Sequence, residues 1–341
     1  MANIMVTKRC NLRCSYCFAN EFVGKSTEDI SLSSFMKAID FSLTNSDEGI
    51  GIIGGEPTVH KQFKQMLQLI IEDNRIKRCT LFTNGILIDE YVKELTHPKF
   101  SLLINCNAPN DIGANQFEKT VKNIDLFAEE YYMRDRITLG INMYKPNFEY
   151  QYLLELLKHH QFKYVRTSLS VPNTEQLRRQ SALDYFYEMK PYVLNFYHDA
   201  LDVGIIPFYD CNAIPKCIFQ ENELEMLRRK LIATGNDDRN LLSDFVTCEP
   251  VIDILPDLSV IRCFALSEYE KAKISDFNTI FEAKAYFNNC FDTLCYQICT
   301  DIRCKDCYER LTMKCSGGCY AFKANKVIEC RNIIDDINTR N

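Results

Sequence analysis

Three cysteines stand within eight residues near the start of the chain, in the segment KRCNLRCSYCFAN. Cys10, Cys14 and Cys17 are separated by gaps of three and then two residues, so one tight loop can hold all three sulfurs. Four thiolates saturate a cubane 4Fe–4S cluster, whereas three leave one iron open, as in catalytic metal centres. The alternative is incidental thiols or a zinc site. Zinc would want a fourth ligand nearby, and no Cys or His follows until His60.

A second segment with chemical potential, GIIGGEPTVH, lies directly after an apolar run. Gly54 and Gly55 allow the backbone to approach a ligand closely, and Pro57 stiffens the exit from the turn. The Glu56 carboxylate can accept hydrogen bonds from an ammonium group. Alone the segment is an ordinary turn, so its meaning depends on the cysteine loop that precedes it.

Together these motifs resemble the radical S-adenosylmethionine (SAM) superfamily, whose signature is C-x3-C-x2-C with an aromatic residue, here Tyr16, before the last cysteine. The family also carries a GGEP segment after its second strand. The resemblance implies that Cys10, Cys14 and Cys17 hold a catalytic 4Fe–4S cluster whose open iron binds the amino and carboxylate groups of SAM. The reduced cluster then splits SAM into a 5′-deoxyadenosyl radical, which abstracts hydrogen from a substrate. It further implies SAM contacts for Tyr16 and for Gly54, Gly55, Glu56 and Pro57.

Weaker matches to the same family follow later strands. Asn107, in NCNAP, stands where family members contact the ribose of SAM, and Arg166, in VRTSLSVPN, where they contact its carboxylate. TNG at residues 83–85 also lies in such a position. Polar strand-end residues that simply face water are an equal alternative for each of these.

Apolar runs alternating with amphipathic segments must position these motifs. Helical spacing appears at residues 32–43, 63–71 and 150–160, between the candidate strands. Alternating strands and helices predict parallel β/α units, and chemistry in such folds lies at the carboxyl ends of the strands. Six units are too few for a closed barrel, so we expect an α/β fold with a partial (β/α)6 TIM-like barrel. The candidate strands are residues 3–7, 50–54, 79–83, 101–105, 137–141 and 164–170.

Composition narrows the class of protein. The net charge of −6 argues against a nucleic-acid partner. No run approaches the roughly 20 apolar residues that span a membrane, and MANIMVTKRC is no signal peptide, so we expect a cytoplasmic protein without a membrane partner. Seventeen cysteines in a reducing compartment indicate metal or redox chemistry.

Ten of those cysteines lie between Cys248 and Cys330, and this predicts three regions. Residues 1–205 would form the barrel, 206–245 a bridging region with a helix ending at Gly235, and 246–341 a small cysteine-rich iron–sulfur domain. In that last region we expect short elements held by metal rather than by a large core.

The C-terminal cysteines resemble a SPASM domain, the auxiliary-cluster extension of many radical SAM peptide modifiers. Its pattern is a hairpin pair, then C-x2-C-x5-C-x3-C, then a last cysteine; this chain has x7 in place of x5, and Leu258 where a turn glycine is usual. The resemblance implies two auxiliary 4Fe–4S clusters. One would use Cys304, Cys307, Cys315 and Cys330; the other would use Cys248, Cys263 and Cys319.

The second set needs a fourth ligand. Cys217, or less readily Cys211, could reach in from DCNAIPKC, and otherwise a substrate thiolate could bind there. Cys290, Cys295 and Cys299 fall outside the pattern and are open to assignment as ligands, hydrogen-atom donors or buried small hydrophobes. A zinc ribbon is the alternative for residues 304–319.

Three reactions compete. Maturation of a ribosomally made precursor peptide by a thioether or other side-chain cross-link is the leading hypothesis, and peptide epimerisation is an alternative. An anaerobic sulfatase-maturing activity is another, but that family carries an Asp base after the second hairpin cysteine, and here Phe264, which takes no proton, stands there. An iron–sulfur electron carrier is the non-enzyme alternative, although it would need neither GGEP nor a three-cysteine loop.

The expected partners follow from that chemistry. They are the precursor peptide and an electron donor such as flavodoxin or ferredoxin. Because the barrel starts by residue 3, we expect the leader of the peptide to dock on the barrel, on the C-terminal region or on a separate leader-binding protein.

Overall fold

The computed structural model describes residues 2–17, 19, 23, 26–44, 48–171, 180–209, 211, 214–235, 247–267, 269–324 and 326 of the 341-residue chain. These residues build an α/β fold on one ten-stranded sheet. Its strands are β1 Ala2–Met5, β2 Gly49–Ile53, β3 Arg78–Thr83, β4 Phe100–Asn105, β5 Ile137–Met143, β6 Tyr164–Leu169, β7 Ile206–Tyr209, β8 Asp253–Ile254, β9 Ser259–Ile261 and β10 Ala272–Lys273. Among the described residues the order is β10-β9-β8-β1-β2-β3-β4-β5-β6-β7, an open sheet.

Helices connect the strands and cover the outer face of the sheet. They are α1 Leu32–Ser42, α2 Phe63–Glu72, α3 Val92–Leu95, α4 Pro109–Ile112, α5 Ala114–Asp125, α6 Gln151–His159, α7 Ala182–Asp202, α8 Glu221–Ala233, α9 Ile280–Phe287, α10 Thr293–Gln297 and α11 Tyr308–Leu311. In α2 the buried residues Phe63, Met66, Leu67 and Ile70 follow the spacing of one helix face. Within the described part of the chain, every helix is too short or too polar to cross a bilayer.

The partial barrel expected from the sequence is confirmed. The six predicted strands correspond to β1–β6, which pair in parallel with their neighbours. β7 adds a seventh parallel strand beside β6, which the sequence pattern did not indicate. This strand has only four residues and contains Pro207, which is tolerated because β7 lies at the edge of the sheet. The sheet thus continues past residue 205, and the exact domain boundary stays a prediction.

The cysteine-rich region joins the barrel sheet through a hairpin. β8 pairs in parallel with β1, with Asn3 opposite Asp253, and β9 pairs antiparallel with β8. Leu258, in the turn of this hairpin, adopts a φ of 62°, the left-handed conformation that glycine takes without strain. The sequence therefore departs from the SPASM pattern at a position that still needs a glycine-like backbone.

The expectation of a C-terminal region without a large core is wrong. Apolar residues of β8, α9 and the segment after Cys319 belong to the same buried cluster as the barrel strands and helices. Ile254, Phe287 and Tyr320 are each essentially inaccessible to solvent. Hydrophobic contact therefore contributes to holding this region against the barrel.

Candidate active site

The chemistry-bearing loops predicted from the sequence meet at one edge of the sheet. Because β1–β4 are parallel, the segments after Met5, Ile53, Thr83 and Asn105 all leave the sheet at the same side. These segments carry the three-cysteine loop, GGEP, TNG and NCNAP.

The GGEP segment is fastened to the cysteine loop by its backbone. Gly55 N donates to Thr7 O at 2.8 Å, and Glu56 N donates to Arg9 O at 2.8 Å, which extends the β1–β2 pairing beyond the strands. A Cβ on Gly55 would lie 2.2 Å from Arg9 O, and a Cβ on Gly54 would lie 2.9 Å from Thr7 O. The glycines therefore allow close approach to the cysteine loop itself, and their expected approach to a ligand stays a prediction.

An acidic residue that sequence reasoning missed holds the other side of this loop. The Arg9 guanidinium donates to both Asp29 oxygens, at 3.0 and 2.6 Å, and Thr7 Oγ1 donates to Asp29 Oδ1 at 2.6 Å. Lys8 Nζ donates to Glu28 Oε2 at 2.6 Å. The sequence shows a basic pair, KR at 8–9, and an acidic pair, ED at 28–29. Nothing in the sequence shows that these two pairs form ion pairs with each other.

The three loop thiols are half-buried and close enough to interact electrostatically. Burial, together with the charges of Glu56, Cys14 and Cys17, raises the pKa of Cys10 to about 11. Burial also raises the pKa of Cys14 and of Cys17. A metal centre binds the thiolate forms, so its binding at this loop would displace these protons.

The donor types of this loop fit an iron–sulfur cluster. Cys10, Cys14 and Cys17 are three free cysteines on one short segment, and such clusters are held by cysteine thiolates.

Glu56 is buried, and its carboxylate accepts hydrogen bonds from protein groups. Its side chain is 1% exposed, and burial raises its pKa. Oε1 accepts hydrogen bonds from Thr58 N, Thr58 Oγ1 and Thr83 Oγ1 at 3.2, 2.7 and 2.8 Å, and Oε2 accepts from Asn84 N at 2.8 Å. A carboxylate has about four acceptor sites. Glu56 therefore joins the loops after β2 and β3, and its contact with SAM stays a prediction.

Pro57 and the TNG segment also help to connect the loops after β2 and β3. Pro57 begins a short 3₁₀ helix that Glu56 caps, a position where its missing N–H costs nothing. Asn84 Nδ2 donates to Asn11 Oδ1 at 2.7 Å, which links the loop after β3 to the cysteine loop. Asn84 belongs to the TNG segment that the sequence analysis named, but its link to the cysteine loop was not expected.

Tyr16 and Asn107 lie beside Cys14 at the mouth of a pocket. The Tyr16 hydroxyl contacts Asn107 Oδ1, and Asn107 Nδ2 lies 4.0 Å from Cys14 Sγ. The Tyr16 ring stacks on Tyr144, with centroids 4.2 Å apart. Asp111 and Glu149 line the same pocket, so its wall is acidic.

Arg166 lies inside the barrel, at the level of β5 and β6. Its Nη1 donates to Asn142 Oδ1 at 3.1 Å, and Asn142 lines the pocket beside Tyr16. A Cβ on Gly140, the residue opposite Arg166 in the sheet, would lie 3.2 Å from Arg166 Cδ. Gly140 thus leaves room for the arginine, whose contact with a SAM carboxylate stays a prediction.

One group of C-terminal thiols surrounds the base of the hairpin. Cys248 shares a side-chain hydrogen bond with Cys319, and this contact, with help from Arg262, lowers the pKa of Cys248 to about 6. Cys263 and Cys211 both lie within electrostatic range of Cys319. The group therefore contains the three residues expected from the SPASM resemblance, together with Cys211.

The other group brings Cys304, Cys307 and Cys315 near Cys217. Burial raises the pKa of Cys217 to about 11, and the charges of these three thiols add to that effect. We expected Cys217 to accompany Cys248, Cys263 and Cys319, but the structure places it, in the 3₁₀ turn Lys216–Ile218, within electrostatic range of the other group. Cys330, the expected fourth ligand, lies outside the described residues.

Cys290, Cys295 and Cys299 follow α9, and Cys295 lies within electrostatic range of Cys248. Cys295 is fully buried, and its carbonyl oxygen accepts from Lys323 Nζ at 2.7 Å. Cys290 and Cys299 are partly buried. The contacts of Cys295 are those of a core residue.

Comparison with known proteins agrees with this geometry. Residues 4–160 match the family model described as Radical SAM superfamily. The chain is 37% identical over 94 residues to the GTP 3′,8-cyclase of Desulforamulus reducens, covering 27% of this chain and 29% of that one. It is 27% identical over 243 residues to a tungsten-containing aldehyde ferredoxin oxidoreductase cofactor-modifying protein of Pyrococcus furiosus, covering 65% and 67%. The chain thus spans under a third of that cyclase.

Solved structures share the fold along nearly all of the chain. Native anSMEcpe with bound AdoMet and Cp18Cys peptide has a TM-score of 0.61 at 18% identity, covering 100% of this chain and 99% of that one. Streptococcus suis SuiB bound to S-adenosylmethionine has a TM-score of 0.60 at 14% identity, covering 94% and 72%. The likeness extends beyond residue 160, so it includes the cysteine-rich region.

Proposed function

We propose, on the premise that residues 4–160 form a radical SAM domain, that this chain modifies a peptide by radical hydrogen abstraction. The observation that supports this most is the cysteine loop. Its three thiols are half-buried at the carboxyl edge of a partial barrel and are locked there by GGEP backbone hydrogen bonds of 2.8 Å. A loop held so firmly, with three donors and no fourth Cys or His nearby in sequence, suits a cluster with one open iron.

Each residue at this edge has a defined part in the proposal. Cys10, Cys14 and Cys17 would hold the cluster, which when bound supplies the electron that splits SAM. Tyr16 and Asn107 would form the wall beside it. Glu56 orients the surrounding loops through its four hydrogen bonds.

The C-terminal thiols would hold two auxiliary 4Fe–4S clusters. The group nearest the barrel is Cys248, Cys263 and Cys319, with Cys211 as the candidate fourth ligand. The other is Cys304, Cys307 and Cys315, with Cys217 or Cys330 as the fourth. Sequence reasoning ranked Cys217 before Cys211 for the first of these clusters; the proposal takes Cys211 there and gives Cys217 to the second.

A peptide is the substrate that we favour. SuiB, whose complex with precursor peptide SuiA has a TM-score of 0.56 to this chain at 15% identity, and anSMEcpe both bind peptides. In our proposal the 5′-deoxyadenosyl radical removes one hydrogen atom from the peptide and leaves as 5′-deoxyadenosine. The peptide radical then forms its new bond and gives up one proton and one electron. The C-terminal thiols would hold a cluster that, when bound, supplies an acceptor for this electron, and a carrier such as ferredoxin or flavodoxin would receive it from there.

This balance makes the product two hydrogens lighter than the substrate, which separates it from epimerisation, where the mass is unchanged. The sulfatase-maturing alternative lacks its base, because Phe264 follows Cys263 and is buried. A nucleotide substrate is the competing class, since several relatives are named GTP 3′,8-cyclase.

The test is a substrate comparison with the reconstituted, anaerobically reduced full chain. One sample receives SAM with a library of short synthetic Cys-containing peptides, and a matched sample receives SAM with GTP. We expect the peptides to increase 5′-deoxyadenosine formation over the SAM-only level and to yield a product lighter by two hydrogens. Stimulation by GTP, with none by peptides, would overturn the assignment.

A further inference from the structure

Arg262 is a buried cation that faces the thiols at the base of the hairpin. It lies between β9 and Cys263, and its side chain is 2% exposed. Removing a guanidinium from water costs several kcal/mol unless its charge and its N–H groups are satisfied. The contacts of Arg262 therefore indicate what kind of group its surroundings are built to hold.

Asp292 takes one edge of the guanidinium. Arg262 Nε donates to Asp292 Oδ1, and Nη2 donates to Asp292 Oδ2 at 2.9 Å and to the Cys248 carbonyl oxygen at 2.7 Å. Tyr320 covers one face, with its ring centroid 5.0 Å from Arg262 Cζ. Asp292 is itself buried, so the pair is fixed in place rather than screened by water.

The other edge of the Arg262 guanidinium faces two cysteine sulfurs. Arg262 Nη1 lies 3.5 Å from Cys248 Sγ and 3.9 Å from Cys263 Sγ, within reach of N–H···S hydrogen bonds. Neutral thiols are weak acceptors, whereas metal-bound thiolates are anionic and accept charge-assisted hydrogen bonds. The groups at this edge fit an anionic iron–sulfur cluster, because the two sulfurs that would ligate it both face the Arg262 guanidinium.

We propose that Arg262 is a positioning residue for the auxiliary cluster held by Cys248, Cys263 and Cys319, and that it raises the reduction potential of that cluster. Hydrogen bonds to cluster sulfurs and nearby charge are established determinants of such potentials. A cation beside the cluster stabilises its reduced, more negative form. This inference rests on the proposed function, in which an auxiliary cluster receives the electron that the peptide radical gives up.

The experiment measures midpoint potentials by EPR-monitored redox titration. The chain carries Cys10→Ala, Cys14→Ala and Cys17→Ala, so that only C-terminal clusters contribute to the signal. Arg262→Gln combined with Asp292→Asn removes both charges without leaving a buried unpaired carboxylate, and Arg262→Lys retains the cation. In the neutral double variant we expect the reduced form of one cluster to become at least about tenfold less favoured, which is a downward shift of about 59 mV for one electron. The other cluster keeps its potential.

An exposed ion pair on the same hairpin provides the matched control. Lys273 Nζ lies 2.9 Å from Asp257 Oδ2, and both side chains are nearly half-exposed. Lys273→Gln combined with Asp257→Asn also removes one charge of each sign, but we expect no shift because solvent screens the pair. Arg262→Lys should recover most of the potential lost in the neutral variant.

Two results would contradict us, and they are distinguishable. Equal midpoint potentials in the wild type and the neutral variant, at equal iron content, would overturn the role of Arg262 and leave the proposed function standing. Zinc in place of iron and sulfide at the C-terminal thiols of the wild-type chain would overturn the auxiliary clusters themselves, and the role of Arg262 with them. Loss of one cluster's iron in the neutral variant but not in Arg262→Lys would support the requirement for a cation.

Discussion

Asp253 is a single carboxyl group whose surroundings set a measurable pH dependence. It lies on β8, is 2% exposed, and accepts a hydrogen bond from Asn3 Nδ2 at 2.8 Å. Burial raises its pKa from 3.8 to about 7, because the charged form loses its hydration. The folded state therefore binds this proton more tightly than the unfolded state does.

The sign of the effect on stability follows from that difference. Between about pH 4 and 7 the unfolded chain has released the proton and the folded chain has kept it, so stability falls as pH rises. A pKa raised from 3.8 to about 7 corresponds to roughly 4 kcal/mol above pH 7. Asp253→Asn, which resembles the protonated acid, should therefore stabilise the protein by up to about that amount at pH 8 and by little at pH 4.

Anaerobic denaturation of the wild type and Asp253→Asn across this pH range checks the prediction. Asp257→Asn is the control in the same hairpin, because hydrogen bonds from Lys273 and Ser259 outweigh its partial burial and lower the pKa of Asp257 to about 2. That group adds stability above pH 4, so its amide variant should lose stability at pH 8. A pH-independent difference for Asp253→Asn would contradict the account.

For individual residues, the sequence predicted the chemistry of a side chain better than it predicted the contacts of that side chain. The types and spacing of Cys10, Cys14 and Cys17 were enough to predict a metal-binding loop, because three soft donors in one loop have few other uses. The hydrogen-bond partners of the Glu56 carboxylate could not be predicted from the sequence, because its donors Thr83 and Asn84 are 27 and 28 residues away.

The end of β2 is the element on which the cysteine loop depends. Gly55→Ala would place a Cβ 2.2 Å from the backbone oxygen of Arg9, and backbone cannot rotate away as a side chain can. We expect the two segments to separate, with a loss of about 1–3 kcal/mol of stability as in other overpacked sites. The N-terminal cluster should then be incorporated poorly, which iron analysis and the rate of SAM cleavage would measure.

Gly204→Ala is the matched control for that change. Gly204 has a φ of 79°, so alanine is strained there, but no heavy atom lies within 4 Å of the added Cβ. The variant should lose about 1 kcal/mol of stability and keep its N-terminal iron and its SAM cleavage. Equal iron content and activity in Gly55→Ala and the wild type would show that the close approach is not needed.

Elements were predictable where the periodic pattern was long. The strands β1–β6 alternate with amphipathic helices, so their order and parallel pairing follow from the sequence. β8 has two residues and β9 has three, too short for a pattern, and Asn3 pairs with Asp253 some 250 residues later. Such pairing is decided by tertiary packing, which is why the joining of the hairpin to the barrel was not foreseen.

At the scale of the whole molecule, the larger buried cluster of the described residues extends from the barrel into the cysteine-rich region. This arrangement allows the C-terminal thiols to keep their positions relative to the barrel edge when the N-terminal loop is altered. Ligand changes at Cys10, Cys14 and Cys17 should therefore leave the two C-terminal groups assembled, and the N-terminal cluster can be tested alone.

The most direct test of the central claim is the formation of 5′-deoxyadenosine from SAM by the reduced, reconstituted chain. We predict that the wild type forms it, that Cys14→Ala forms none while its C-terminal clusters still absorb, and that Cys79→Ala, which alters a buried thiol of β3, retains the activity. Failure of the fully reconstituted wild type to form 5′-deoxyadenosine, or formation by Cys14→Ala at the wild-type rate, would contradict the account.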